Sequence, residues 1–326
     1  MTSLTLNQIR ALNVELSSAC TAHCPFCSRQ QKVRSYGNHR ITLEEFKRLP
    51  DTLIRDLKWI NFGGNFGDLS TNREFPEITA HVRSLNNAVV MGGDTNGAIQ
   101  DEAWWSRLGA QFGKGALGFC IDGLEDTHAI HRLGTSYKKV LRNLSAFTAG
   151  GGAAYWKYIV FKHNQHQIQQ AQDLAKKAGC RRFYAISSRD YNTALEKPDA
   201  FEFRMKRDIF HAAVTEKTRA VCKPLQNGSL YIAADGSVHP CCFAHAMYIT
   251  EYSRPFRFIL PLIEKHIHAI NFKIRPLEEI IAGPYFREVL KKSKHNDYCM
   301  LKCGSDVRKI RSELILHEKY FTGSAE

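Results

Sequence analysis

The chain begins without a basic segment leading into an apolar core. MTSLTLNQIRALNVELSS scatters its leucines among polar residues, which is not the pattern of a secretory signal. It also lacks a long apolar run: FRFILPLI (256–263) is too short and too basic to cross a bilayer. Low-complexity tracts and repeats of solenoid period are missing as well. No recognisable RNA- or DNA-binding module stands out. Together these absences exclude membrane, solenoid and secreted disulfide-scaffold classes, and predict a soluble, cytoplasmic protein with no membrane partner.

Cysteine, by contrast, is plentiful. There are ten, at Cys20, Cys24, Cys27, Cys120, Cys180, Cys222, Cys241, Cys242, Cys299 and Cys303. In a reducing compartment, clustered cysteines are metal ligands or redox groups rather than bridges. Cys120 and Cys180 stand alone and read as small buried apolar residues. Lysine plus arginine number 45 against 32 aspartates and glutamates, a formal net charge of +13. A basic surface attracts polyanions, nucleic acid among them, and it also serves solubility alone.

The 326 residues suffice for one large α/β domain with a smaller attachment. LNVELS, KWINFGG, NAVVMGG, GALGFCIDG, AYWKYIVFK and CRRFYAIS read as strands, with helical spacing between them. ITLEEFKRLPDTLI (41–54) reads as one helix opened by a Thr42–Glu45 capping box. Alternation through about residue 190 predicts a parallel sheet with helices outside and ligand groups at the carboxyl ends of the strands. The polar stretch SSRDYNTALEKPDA (187–200) breaks it. The expected domains are therefore 1–195 and 196–326. The second is expected to hold a hairpin in SLYIAADGSVHP (229–240), turning at Asp235-Gly236, and further helices.

CTAHCPFC (20–27) places three cysteines on the loop after the first strand, spaced C-x3-C-x2-C. Thiolates select iron–sulfur clusters, zinc or copper(I), and a closed zinc site needs four ligands. Three suit a [4Fe-4S] cube with one iron free for a ligand that is not protein. Here the sequence resembles the radical S-adenosylmethionine (radical SAM) superfamily, whose C-x3-C-x-aromatic-C motif is matched by Cys20, Cys24, Cys27 and Phe26. NFGGNFGD (61–68) resembles the family's Gly-Gly-Glu segment through Gly63 and Gly64, with Asn65 in place of the glutamate and Asp68 as a further candidate for the SAM amino group. DTNG (94–97) resembles its Thr-Asn-Gly segment and brings in Asn96. CIDGLEDTHAIHR (120–132) resembles the Ser-Ile-Asp-Gly segment with its later arginine, and brings in Asp122 and Arg132. The resemblance implies a partial (β/α)6 barrel and an oxidoreductase or isomerase that uses SAM. It also implies an electron donor such as flavodoxin or ferredoxin.

Cys222, Cys241, Cys299 and Cys303 resemble the ligands of the auxiliary-cluster extension called SPASM or, in its single-cluster form, Twitch. Cys242 is a spare. Four cysteines allow one further [4Fe-4S] cluster with a role in electron transfer, giving two clusters in all, and a four-cysteine zinc site is the alternative. Basic segments SRQQKVRSYGNHR (28–40), KKSKH (291–295) and RRFY (181–184) point to an anionic substrate, a nucleotide or nucleic acid. Peptide maturation is the second expectation, although little chain precedes the first strand to form a peptide-recognition domain. A non-catalytic iron–sulfur carrier and a zinc nucleic-acid-binding protein are the remaining alternatives.

Overall fold

The computed structural model describes residues 4–31, 34–188, 190–199, 222–250, 259–293, 299–300, 303 and 315–320, with the side chains of 31, 223 and 315–320 excepted. Six strands run parallel in chain order: β1 (Ala11–Val14), β2 (Trp59–Asn61), β3 (Val90–Thr95), β4 (Gly115–Cys120), β5 (Ala154–Val160) and β6 (Arg182–Ser187). Helices Phe75–Leu85, Glu102–Phe112, Tyr137–Ala149 and Ile168–Lys177 lie between strands in sequence. The α/β alternation expected from the sequence is present.

β5 shows how period-two alternation builds both the core and the site. Ala154, Trp156, Tyr158 and Val160 are fully buried, whereas Tyr155, Lys157 and Ile159 between them are only partly so. The buried row joins an aromatic core in which Trp105 lies 5.1 Å from Phe119 and Phe112 lies 5.6 Å from Phe147, centroid to centroid. Burial of such rings is the dominant favourable term in folding. The other row faces a cavity.

Residues 41–54 form two helices rather than the expected one, α1 (Leu43–Phe46) and α2 (Asp51–Asp56). Pro50, at the N-cap of α2, supplies no backbone N–H and disfavours helical geometry at Leu49. The capping box is as expected: Glu45 N–H donates to Thr42 Oγ1 at 3.1 Å, and Thr42 N–H donates to Glu45 Oε2 at 2.9 Å.

The C-terminal segment returns to the same sheet. β7 (Ser229–Ile232) pairs parallel with β1, and β8 (Val238–His239) pairs antiparallel with β7 across the Asp235-Gly236 turn. Gly236 takes a φ of +95°, a conformation glycine tolerates. β9 (Ile315–Tyr320), where the sequence suggests helix, pairs antiparallel with β6. The order is β8-β7-β1-β2-β3-β4-β5-β6-β9, so both edges are built from chain beyond residue 200. Helices 242–249, 260–266, 277–282 and 284–293 pack beside the β8 edge, burying Met247, Ile263, Ile281 and Phe286. Among the described residues no helix is long and apolar enough to cross a membrane.

Candidate functional site

The loop after β1 carries Cys20, Cys24 and Cys27 into a cavity of about 540 Å3 at the carboxyl ends of the strands. Phe26 adopts a left-handed φ of +62°, unusual for a bulky residue, and lines the cavity. Its strained turn sits where Cys27 N–H donates to Cys24 O at 3.3 Å. Arg29 Nη1 donates to Cys20 O at 2.6 Å and closes the loop.

Burial, then the charge of Asp68, pushes the Cys20 thiol up to about 12. Burial raises the Cys24 thiol too, against the opposing charge of Arg132. A bound metal reverses that balance, because its charge deprotonates a coordinating thiol outright. Among the described residues no three Cys, His, Asp or Glu side chains converge as a single ion requires. Three thiols from one loop around one volume fit a cluster with an open corner.

Two donors point at these sulfurs. Asn96 Nδ2 reaches Cys20 Sγ at 3.3 Å, and Arg132 Nη1 reaches Cys24 Sγ at 3.7 Å. Asp122 does not line the cavity; it lies fully buried behind Arg132. Its Oδ2 accepts from Arg132 Nε at 2.5 Å and pairs with His131 Nδ1 at 2.7 Å, while its Oδ1 accepts from Ile159 N–H at 2.7 Å. Burial alone would raise this carboxyl, but Arg132 and His131 hold it well below the usual carboxylate range. Asp122 thus holds the guanidinium of Arg132, a residue that lines the cavity.

Asp68 lines the cavity but is heavily committed. Its Oδ1 accepts from Ser70 N–H (3.0 Å), Ser70 Oγ (2.6 Å) and Thr95 Oγ1 (2.9 Å), and its Oδ2 from Asn96 N–H (2.6 Å). It orders the segment that presents Asn96. Asn164, just beyond β5, donates to Asp122 O (3.1 Å) and Ile159 O (3.0 Å) and accepts from Phe161 N–H (2.7 Å), tying the end of β5 to the turn after β4.

Of the glycine pair, Gly64 lines the cavity and Gly63 does not. A Cβ on Gly64 would stand 2.1 Å from Glu15 Cγ. Glu15 was not singled out from the sequence. It is buried directly beyond β1, with Oε1 accepting from the N–H groups of Phe66 (2.7 Å) and Gly67 (3.0 Å) and Oε2 from Tyr231 Oη (3.0 Å). Burial raises its pKa and these donors pull against that rise. Asn65 lines the cavity, and its Nδ2 donates to Tyr231 Oη (3.1 Å) and Cys242 O (2.9 Å).

The opposite wall carries a group that sequence reasoning also missed. Asp94 Oδ2 accepts from Lys157 Nζ at 2.6 Å, and its Oδ1 accepts from Tyr155 Oη at 2.6 Å. Asp94 on β3 reaches β5 because Gly118 lies between them; a Cβ there would fall 2.3 Å from Asp94 Oδ1. The alternation of β5 was the available signal, since it places Tyr155, Lys157 and Ile159 on one face. Cys120, read as a lone core residue, is 9 % exposed and lies at the edge of the same cavity.

The second cysteine set also comes together. The Cys222 thiol is raised to about 11 by burial and by Cys303, and Cys299 to about 12 by burial, Cys222 and Cys303. Cys241 is raised by burial, then Cys242, with Cys222 and Cys299 contributing. These sulfurs lie within electrostatic reach of one another, although among the described residues no three of them converge as a single ion requires.

Comparison with known proteins completes these observations. Residues 222–304 match SPASM, an iron–sulfur cluster-binding domain, and span all four of those cysteines. PqqA peptide cyclase of Granulibacter bethesdensis is 23 % identical over 214 residues, covering 65 % of this chain and 56 % of that protein. The chain thus spans little more than half the length of this curated relative. The fold is similar to Streptococcus suis SuiB bound to its precursor peptide SuiA, with TM-score 0.57, 11 % identity, and 90 % of this chain and 70 % of that chain covered. It is also similar to anSMEcpe with bound AdoMet and the Cp18Cys peptide, with TM-score 0.52, 16 % identity, and 86 % and 82 % covered.

Proposed function

We propose that this chain, which matches the SPASM domain over residues 222–304 and is similar in sequence to a PqqA peptide cyclase, is a radical SAM enzyme that cleaves S-adenosylmethionine reductively and uses the resulting radical on a peptide. The observation that carries this reading is one cavity lined together by Cys20, Cys24, Cys27, Asn65, Asn96 and Arg132. When bound, a [4Fe-4S] cluster with SAM supplies a 5'-deoxyadenosyl radical that abstracts a substrate hydrogen. The protein's own residues bind, orient and exclude water. Cys20, Cys24 and Cys27 would hold the cluster. The guanidinium of Arg132, held from behind by Asp122, suits the SAM carboxylate, because a planar fork matches two oxygens. Asn65 Oδ1 offers an acceptor to the SAM amino group. Cys222, Cys241, Cys299 and Cys303 would hold the auxiliary cluster, which serves electron transfer, with an external flavodoxin or ferredoxin as donor.

The peptide reading rests on two supports. The relatives include a peptide cyclase and structures holding peptides. Two cations stand among the described residues that line the cavity: Arg132, which this reading gives to the SAM carboxylate, and Lys157, which is paired with Asp94. A polyanion would need unpaired cations there, and the net charge of +13 lies elsewhere on the chain.

The test is anaerobic purification followed by iron and sulfide analysis and a SAM-cleavage assay with dithionite. Iron near two cubes per chain and release of 5'-deoxyadenosine are expected. Peptide, nucleotide and single-stranded DNA pools are then compared for SAM-dependent mass changes, with a change expected only in the peptide pool. A colourless zinc protein, or an iron protein that leaves SAM intact, overturns the reading.

A further inference from the structure

Asn65 is held in place from the other half of the chain. Both hydrogens of its side-chain amide are committed, one to Tyr231 Oη at 3.1 Å and one to Cys242 O at 2.9 Å. Because a carbonyl only accepts, Cys242 O fixes which end of the amide carries nitrogen. Oδ1 is thereby the remaining polar atom of a side chain that lines the cavity. Tyr231 lies on β7, the strand laid against β1, and its hydroxyl proton goes to Glu15. Glu15 in turn accepts from the backbone of Phe66 and Gly67, in the same loop as Asn65. On the cavity side, Ser28 Oγ, next to Cys27, donates to Asn65 O at 3.3 Å.

Cys242 directly follows Cys241, which is the N-cap of helix 242–249 and stands among the second thiol set. From a second-set sulfur to the first-set cavity the connection is short: the Cys241 residue, the Cys242 carbonyl, the Asn65 amide, the cavity. A thiolate fixed to a cluster fixes its own backbone, and that backbone orients Asn65.

The geometry points to Asn65 as a positioning residue through which occupancy of the Cys222–Cys241–Cys299–Cys303 set controls SAM affinity at the Cys20–Cys24–Cys27 cavity. This rests on the proposed SAM site. The coupling is reciprocal: SAM bound against Asn65 stabilises the backbone around Cys241 by the same factor. It also gives a reason for Asn at this place. An aspartate or glutamate would set a carboxylate against the Cys242 carbonyl and lose both donated bonds.

The experiment measures equilibrium SAM binding to the reconstituted, anaerobic full-length protein, together with the SAM-induced change in the EPR signal of the reduced first cluster. Cys299→Ala is expected to lose the second cluster, keep the first by iron count, and bind SAM at least about fivefold more weakly. Tyr231→Phe keeps the ring and both clusters while removing one anchor of Asn65. It is expected to weaken binding in the same direction and alter the EPR change, which a role confined to packing would not do. SAM affinity within twofold of wild type in both variants, with an unchanged EPR response, overturns the coupling while leaving the SAM site standing. A wild-type protein that binds no SAM overturns both.

Discussion

The two thiol sets are built in opposite ways. Cys20, Cys24 and Cys27 share one loop of eight residues. The other four come from a short helix start, a hairpin end and a segment near residue 300. The first set needs only local backbone geometry, a strained Phe26 and an arginine closing the loop. The second exists only once residues 222–303 have folded. A site made by one loop is thus separable by spacing alone, while a site made by a whole domain is as stable as that domain. Asn65 stands between them, in a loop of the first region and hydrogen-bonded to the second.

Single substitutions test this contrast most severely at the thiols. Cys24→Ala is expected to abolish 5'-deoxyadenosine release and remove about half of the iron, whereas Cys303→Ala should remove the other half yet retain SAM cleavage at saturating SAM. Iron analysis and product chromatography on the two proteins decide it; equal loss of cleavage in both would erase the distinction.

Next in size is Asp122→Asn. It leaves buried Arg132 without its counter-charge, and breaking such a pair costs about 3–5 kcal/mol. Denaturant titration should show that loss, along with a large drop in SAM affinity. Full SAM binding in the variant would show that Arg132 needs no carboxylate behind it.

Gly64→Ala comes third. The new Cβ would lie 2.1 Å from Glu15 Cγ inside a closed polar knot, and overpacking of this kind costs about 1–3 kcal/mol. Pairing it with Glu15→Gln is expected to recover little, because the clash is steric; substantial recovery of stability in the double variant would point to charge instead.

The last expected effect vanishes at neutral pH and is one of acid. His128, buried with Nε2 at 2.9 Å from Thr135 Oγ1, has its pKa lowered to about 4, mainly by burial. A histidine lowered in the folded state takes up its proton in the unfolded state first. Its contribution is therefore whole above pH 6.5, is lost as pH falls toward 4, and is flat below that. The loss is on the order of 3 kcal/mol, and His128→Gln should flatten stability across that window in chemical denaturation at stepped pH.

Much of this molecule can be read from its order of residues, and the reason is locality. Strand alternation in AYWKYIV, the capping box at Thr42 and the C-x3-C-x2-C loop each depend on neighbours within a few positions. The split at Pro50 was equally local and was overlooked for the sake of continuous apolar spacing. Glu15, an acid in an apolar strand, offers no periodic signal. It becomes intelligible only when β7 lies beside β1 and brings Tyr231 to it. Likewise Asp94 and Lys157 meet because Gly118 leaves the space between β3 and β5 open.

The sequence by itself determined the alternation of strands and helices, the first thiol loop and the types of side chain available for a cluster and a sulfonium cofactor. Those properties follow from backbone preference and short-range spacing. The tertiary structure alone decided which distant groups meet: Asp122 behind Arg132, Glu15 beneath the glycine loop, and Asn65 turned toward the second thiol set. Apart from the Asp122–Arg132 pair, whose partners are 10 positions apart, such meetings depend on strand order and register, which join residues as far apart as Asn65 and Cys242, or Glu15 and Tyr231, and leave no mark in any short stretch of chain.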